Sequence, residues 1–170
     1  MRIDPRFFNR FMIVLAVICL VAIGLASFRF IGTQEKRFLE RLDISNPSKF
    51  FFTAVEGDTL HMTPGRPVIL LFWATWSERS LDELYDLFSW HRDHPNYTVI
   101  AAYVKDSPEF AMIHNRPDLM NFFMADGTGI YQDLRVPGIP TVIVFGPNLE
   151  IITTQIGTGT EPAWRGLASN

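Results

Sequence analysis

Val68-Ile69-Leu70-Leu71-Phe72-Trp73-Ala74-Thr75-Trp76-Ser77-Glu78-Arg79-Ser80 decides how this chain folds. Its first six residues are apolar without a break, as in a strand covered on both faces of a sheet. Ser77 is suited to cap a helix, with Glu78 in the first turn; Ser80 with Glu83 offers a capping box as an alternative start. From there to Trp90, Leu81, Leu84, Leu87 and Phe88 recur at helical spacing. Pro95 stops the helix, and Thr98 to Val104 is a second buried run. Strand, helix and strand make a β-α-β unit, which places the chain among α/β folds.

Outward from that unit the elements are short. Phe50 to Val55 and Thr59 to Met62, separated by Glu56-Gly57-Asp58, read as a hairpin ahead of the core strand. Ser107-Pro108-Glu109 opens a helix carrying Phe110, Met112 and Ile113. Leu119 to Met124 is a short apolar run, and Gly129 to Leu134 supplies one or two helical turns. Thr141 to Phe145 and Glu150 to Ile156 flank Gly146-Pro147-Asn148 as a second hairpin, and Pro162 to Leu167 starts a terminal helix.

The N-terminal part is of another kind. Phe11 to Phe28 contains no charge, and Phe30 and Ile31 extend the run past Arg29. About 20 apolar residues at a helical rise cross a hydrocarbon core of ~30 Å, and Arg10 and Arg29 are placed to reach its two surfaces. The expected organisation is a basic segment at 1–10, a transmembrane helix at 11–31, a juxtamembrane helix and linker at 32–49, and a globular domain at 50–170. A cleaved signal peptide with Gly24-Leu25-Ala26 at its cleavage site is the competing reading. The length of the run, and Phe38 and Leu42 on one face of a continuing helix, favour a retained anchor. Arginines and lysines nearly balance on the two sides, so charge does not fix the orientation.

Charge and cysteine exclude several functions. Of the net −3 over 170 residues, residues 1–32 carry about +3, so the remainder carries about −6. An acidic domain without clustered Lys or Arg is not built for nucleic acid. The single cysteine, Cys19, lies in the apolar run, so the domain has no disulfide, no thiol nucleophile and no cysteine-based metal site. His91 and His94, with Asp93 nearby, fall short of the four ligands of structural zinc, so no metal or other cofactor is expected. Ser77 has neither a histidine beside it nor a G-x-S-x-G elbow, which argues against a serine hydrolase.

Phe72-Trp73-Ala74-Thr75-Trp76 followed by Ser77-Glu78-Arg79-Ser80 resembles the FWATWCxxC active-site stretch of thioredoxin-like proteins. The resemblance is strongest to the membrane-anchored TlpA/ResA-type branch, related to the AhpC/TSA group. Glu83 matches that branch's glutamate, and Val136-Pro137-Gly138-Ile139-Pro140-Thr141 matches the loop that holds its cis-proline, which makes Pro140 that residue. Residues of about 50–160 are covered. The resemblance implies a central mixed sheet flanked by helices, an N-terminal anchor, and a domain outside the cytoplasm, periplasmic in a cell with an inner membrane.

The departure is as specific as the match: Ser77 and Ser80 stand at both cysteine positions. Thiol–disulfide exchange needs a thiolate attacking a sulfur, so the family's chemistry is not expected here. What the frame still offers is a surface. Trp76, Ile139 and Pro140 would surround the former active site as an apolar patch. Arg79 sits at a helix N-terminus that either binds an anion or is simply capped by Ser77. The expected function is a non-catalytic, membrane-tethered binding module, an accessory subunit or assembly factor whose partners are the bilayer, through 11–31, and another membrane or envelope protein. No small-molecule substrate is implied. The alternative is an enzyme related to the thiol–disulfide oxidoreductases, acting in envelope redox homeostasis or cytochrome c maturation with a cysteine supplied by a partner.

Overall fold

The computed structural model describes the backbone of residues 5–169 and the side chains of 12–24, 33–43 and 45–167. The chain divides into two compact units, Met1–Arg37 and Phe38–Asn170.

In the first unit lies most of α1, Pro5–Ile44. The apolar side chains described there, from Met12 to Ile23, are all exposed. Among the described residues no helix is long and apolar enough to cross a membrane. The expected span at 11–31 is only partly within those residues, since the side chains of 11 and 25–31 lie outside them.

Seven strands of the second unit form one sheet among the described residues: β1 (Phe51–Ala54), β2 (Thr59–His61), β3 (Val68–Trp73), β4 (Thr98–Tyr103), β5 (Phe122–Asp126), β6 (Thr141–Phe145) and β7 (Ile151–Ile156), in the spatial order β2-β1-β5-β4-β3-β6-β7. β3, β4 and β5 run parallel; β6 is antiparallel to β3, and β1 to β5. α2 (Glu78–Asp93), α3 (Pro108–Met112) and α4 (Thr128–Leu134) connect them.

Strand alternation sends successive side chains to opposite faces, so the continuous apolar run of β3 feeds two cores. Val68, Leu70 and Phe72 join Ile100, Ala102, Ile143 and Phe145 under Ile130 and Leu134 of α4. Ile69, Leu71 and Trp73 join Val99, Ala101, Val142 and Val144 under Leu84, Leu87 and Phe88 of α2. The architecture is three-layered, helices on both faces of a mixed sheet.

Three observations go beyond the sequence reading. Phe38 and Leu42, at the end of α1 in the segment expected as a juxtamembrane helix, are fully buried and belong to the first core with Phe50, Phe52 and Phe145. The apolar run near 119–124 yields the strand β5, slotted between β4 and β1. The terminal helix expected from Pro162 is a 3-10 turn over Arg165–Ser169, preceded by the fully buried Trp164; Gly166 within it disfavours an α-helix there.

Candidate functional site

Three chain segments meet at one end of the sheet. Phe72 of β3 lies opposite Thr141 of β6, and Trp73 lies opposite Tyr103 of β4. The exit of β3 (Ala74–Ser77), the exit of β4 (Lys105–Ser107) and the entry to β6 (Gly138–Pro140) are therefore neighbours. The Ile139–Pro140 peptide is cis. The Pro140 carbonyl accepts the Gly157 N–H at 2.8 Å, and the Thr141 hydroxyl donates to the Gly138 carbonyl at 2.8 Å, which fixes the loop.

The β3 exit is pinned by Asp106. One oxygen of its carboxylate accepts both the Thr75 N–H, at 2.7 Å, and the Thr75 hydroxyl, at 2.6 Å. Its other oxygen accepts the Ser107 N–H at 2.9 Å. Bonds to an ionised carboxylate are the stronger kind, about 1.5–3 kcal/mol each. Asp106→Ala is expected to destabilise the domain by about 2 kcal/mol, measured by urea unfolding, with Asp106→Asn recovering part of the loss because an acceptor oxygen remains.

Ser77 is the N-cap of α2, in extended backbone conformation, with its hydroxyl oxygen accepting the Ser80 N–H at 3.4 Å. Ser80 is completely buried. Its hydroxyl is within donor reach of the Ala74 carbonyl (3.0 Å) and the Ser77 carbonyl (2.9 Å), and it accepts the Ala74 N–H at 3.2 Å. The hydroxyl thus ties the first turn of α2 to the end of β3. Neither serine bonds to a histidine: His91 and His94 bond backbone carbonyls, and His114 bonds Tyr85. Neither is equipped as an activated nucleophile, which needs a base in hydrogen-bond reach.

Trp76, 64% exposed, stands at this end of the domain, with Glu78 and Arg79 exposed beside it on the first turn of α2. Ile139 is half-buried and Pro140 buried. Behind them is Glu83, nearly buried in α2, within reach of the Gln155 amide at 3.4 Å; Gln155 also donates to the Gly157 carbonyl at 3.1 Å. Burial pushes the Glu83 carboxyl up from its ordinary range and Asp86 adds to this, while Arg165 and the Gln155 amide oppose it. Arg165 also pairs with Asp86 at 2.6 Å, fastening the C-terminal segment to α2.

Sequence reasoning named Trp76, Ser77, Arg79, Ser80, Ile139 and Pro140, and sheet register brings their segments to one end. It missed Asp106, whose partner lies 31 residues away. Its one signal in the sequence is an acidic residue just past a buried strand. Among the described residues no group of three or more His, Cys, Asp or Glu is arranged to hold a metal ion.

Several solved structures share this architecture. StoA from Bacillus subtilis superposes with a TM-score of 0.55 at 20% identity, covering 68% of this chain and 92% of that one. A secreted Mycobacterium tuberculosis disulfide oxidoreductase homologous to E. coli DsbE gives 0.59 at 18% identity, over 76% and 94%. The fold is thioredoxin-like. A thioredoxin-like protein from Aeropyrum pernix agrees, at 0.55 and 18% identity over 84% and 96%. At such identities the likeness concerns the fold alone. No family model matches the sequence, and no curated protein does. Within the thioredoxin-like frame, the Ser77–Ser80 turn occupies the strand-to-helix junction beside the cis-proline loop, with a hydroxyl and no thiol at either end.

Proposed function

We propose that this chain is a redox-inactive member of the membrane-anchored TlpA/ResA-type branch, a thioredoxin-fold module that grips another protein at its vacated site. The observation that carries this reading is Ser80. Its buried hydroxyl is spent on the backbone of Ala74 and Ser77, a structural use of a position where exchange chemistry needs a sulfur. The one cysteine of the chain, Cys19, lies in α1 outside the domain. What remains at the sheet end is a display surface: exposed Trp76 and Arg79, with half-buried Ile139 on the neighbouring loop and Pro140 buried behind it. Large aromatic and arginine side chains are the residues that dominate protein–protein contacts.

Membrane attachment belongs to the same proposal. The uncharged run from Phe11 to Phe28 and the exposed apolar side chains of Met12 to Ile23 within it support a retained anchor. A tether raises the effective concentration of the domain near other membrane proteins, so modest contacts suffice. The module is then an accessory subunit or assembly factor at the inner membrane, its domain on the extracytoplasmic side.

A second reading has one observation in its favour: similar structures are named as a disulfide oxidoreductase and as a putative thiol:disulfide interchange protein. It assigns an envelope redox or cytochrome c maturation role with a partner's cysteine. Two assays on the detergent-solubilised full chain test the binding reading. The binding reading expects no insulin reduction, and it expects Trp76→Ala to cut the recovery of a protein co-purified from native membranes by about tenfold or more, the loss of a 1.4 kcal/mol anchor. Insulin turnover at a thioredoxin-like rate sinks it, as does unchanged recovery with Trp76→Ala.

A further inference from the structure

Between α3 and β5, residues 113–121 form neither helix nor strand. Ile113 and Met120 are 75% and 74% exposed there. Asn115, Pro117 and Leu119 of this segment line a cavity of about 250 Å³ together with Val55, Glu56 and Met124. Near its start, His114 stands edge-on to Trp73 with its Nδ1 at 2.7 Å from the Tyr85 hydroxyl. Near its end, His91 of α2 reaches across, its Nε2 at 2.8 Å from the Met120 carbonyl.

The His91 contact differs from the others that hold this segment. Its ring is only 1% exposed and lies 5.7 Å from the Phe122 ring. A carbonyl accepts only, so Nε2 carries the hydrogen. Nδ1 is buried and has no partner. The ring fits its site as a neutral group. A proton on Nδ1 would place a donor with no acceptor, and a full charge, among apolar neighbours, which is costly. Nothing nearby compensates. On its own helix His91 has Arg92, Asp93 and His94. The segment contributes His114, Asp118 and Arg116, whose guanidinium lies over the Phe88 ring. β5 contributes Phe122, without charge. None of these carboxylates bonds the ring, and Asp118 is taken by Arg116 at 2.6 Å.

We propose that residues 113–120 are an acid-released flap, latched to the domain by the buried hydrogen bond from His91 to the Met120 carbonyl, which swings away from the cavity it lines when His91 is protonated, while Asn121 stays held by the Val99 N–H that its carbonyl accepts. Burial lowers the His91 pKa, His94 lowers it further, and the Met120 bond opposes both. With the closed-state pKa below the open-state value of roughly 6.5, the latch is at full strength above that pH. It weakens as pH falls toward the closed-state pKa, by up to about tenfold in the opening constant per pH unit. The exposed Ile113 and Met120 move with the flap.

Hydrogen exchange of the full chain in detergent tests this, with rates corrected for intrinsic pH dependence. As pH falls from about 7.5 to about 5 the protection of 113–120 should fall, by at most about tenfold for each pH unit below roughly 6.5, while β3, β4 and β6 keep theirs. His91→Gln retains an N–H donor for Met120 and does not titrate, so its flap should show no pH response. His114→Gln should keep the wild-type response. Constant flap protection in the wild type overturns the proposal, as does a surviving response in His91→Gln or a lost one in His114→Gln. An NMR titration of the wild type needs no variant: the flap amides must shift with the same midpoint as the His91 ring, and separate midpoints overturn the latch.

Discussion

Ser77→Cys combined with Ser80→Cys is expected to close an internal disulfide under mild oxidation and to raise insulin reduction from background to a measurable rate. Residues three apart in the first turn of a helix are neighbours, about 5–6 Å between Cβ atoms in a regular helix. Position 77 is the N-cap of α2 and position 80 lies in that first turn. A disulfide draws its Cβ atoms to about 3.5–4.5 Å, so the pair must close by about 1–2 Å, which the extended, non-helical backbone at the N-cap can absorb. Position 77 is half-buried and position 80 fully buried, so the attacking thiol would be the one at 77, its pKa lowered by the helix N-terminus. In the reduced form the double variant should lose about 1–2 kcal/mol, since the Ser80 hydroxyl bonds to Ala74 and Ser77 are replaced by weaker thiol ones. Oxidation should return about 2 kcal/mol through loop closure. Alkylation followed by mass spectrometry reads the bond directly: after oxidation only Cys19 should react. A folded double variant that leaves all its thiols alkylatable would remove the basis for placing the vacated site here.

Phe72→Ala is expected to cost about 3–5 kcal/mol, read from the urea midpoint of the full chain in mild detergent. Phe72 is fully buried in the middle layer, edge-on to Tyr131 with ring centroids 5.7 Å apart. Its surroundings have little freedom to collapse into the space left. A Cβ placed on Gly127 would meet the Phe72 ring at 3.3 Å and the Ala102 Cβ at 2.6 Å. Glycine is required there by close packing of the α4 entry on the sheet. Ring removal should therefore leave a cavity rather than a rearranged core, which puts the loss at the upper end for such substitutions. A measured cost under about 1.5 kcal/mol would mean that the core relaxes around position 72. Because Phe72 precedes Trp73 and the Asp106-pinned exit, its loss should also loosen the turn that displays Trp76.

The two observations that made the fold readable lie where local signals agree. β3 and β4 are unbroken apolar runs, and Ser77 caps α2 at the residue its side chain suggests. β5 was not legible as a strand. Its five residues follow Asn121, held at positive φ, and only the neighbours β4 and β1 give Phe122–Asp126 its extended form. Phe38 and Leu42 were visible as a pair on one helix face, but the sequence does not say what such a face covers. At the site, the serines and the loop at Pro140 stand out as spaced motifs. The Asp106 clamp does not, since its bond to Thr75 joins two strand exits that only the sheet brings together. His91 is a similar case: a histidine near a helix end reads as solvent-facing, and only the packing of residues 113–121 shows it buried.

The burial of Phe38 and Leu42 also bears on how the domain is to be cut for expression. A fragment starting at the turn after α1, near residue 45, would strip both side chains from the core they share with Phe50, Phe52 and Phe145, leaving an apolar wall open to water and a product prone to self-association. One beginning ahead of Phe38 keeps that wall covered, so the workable cut lies inside the helix rather than in the loop that follows it.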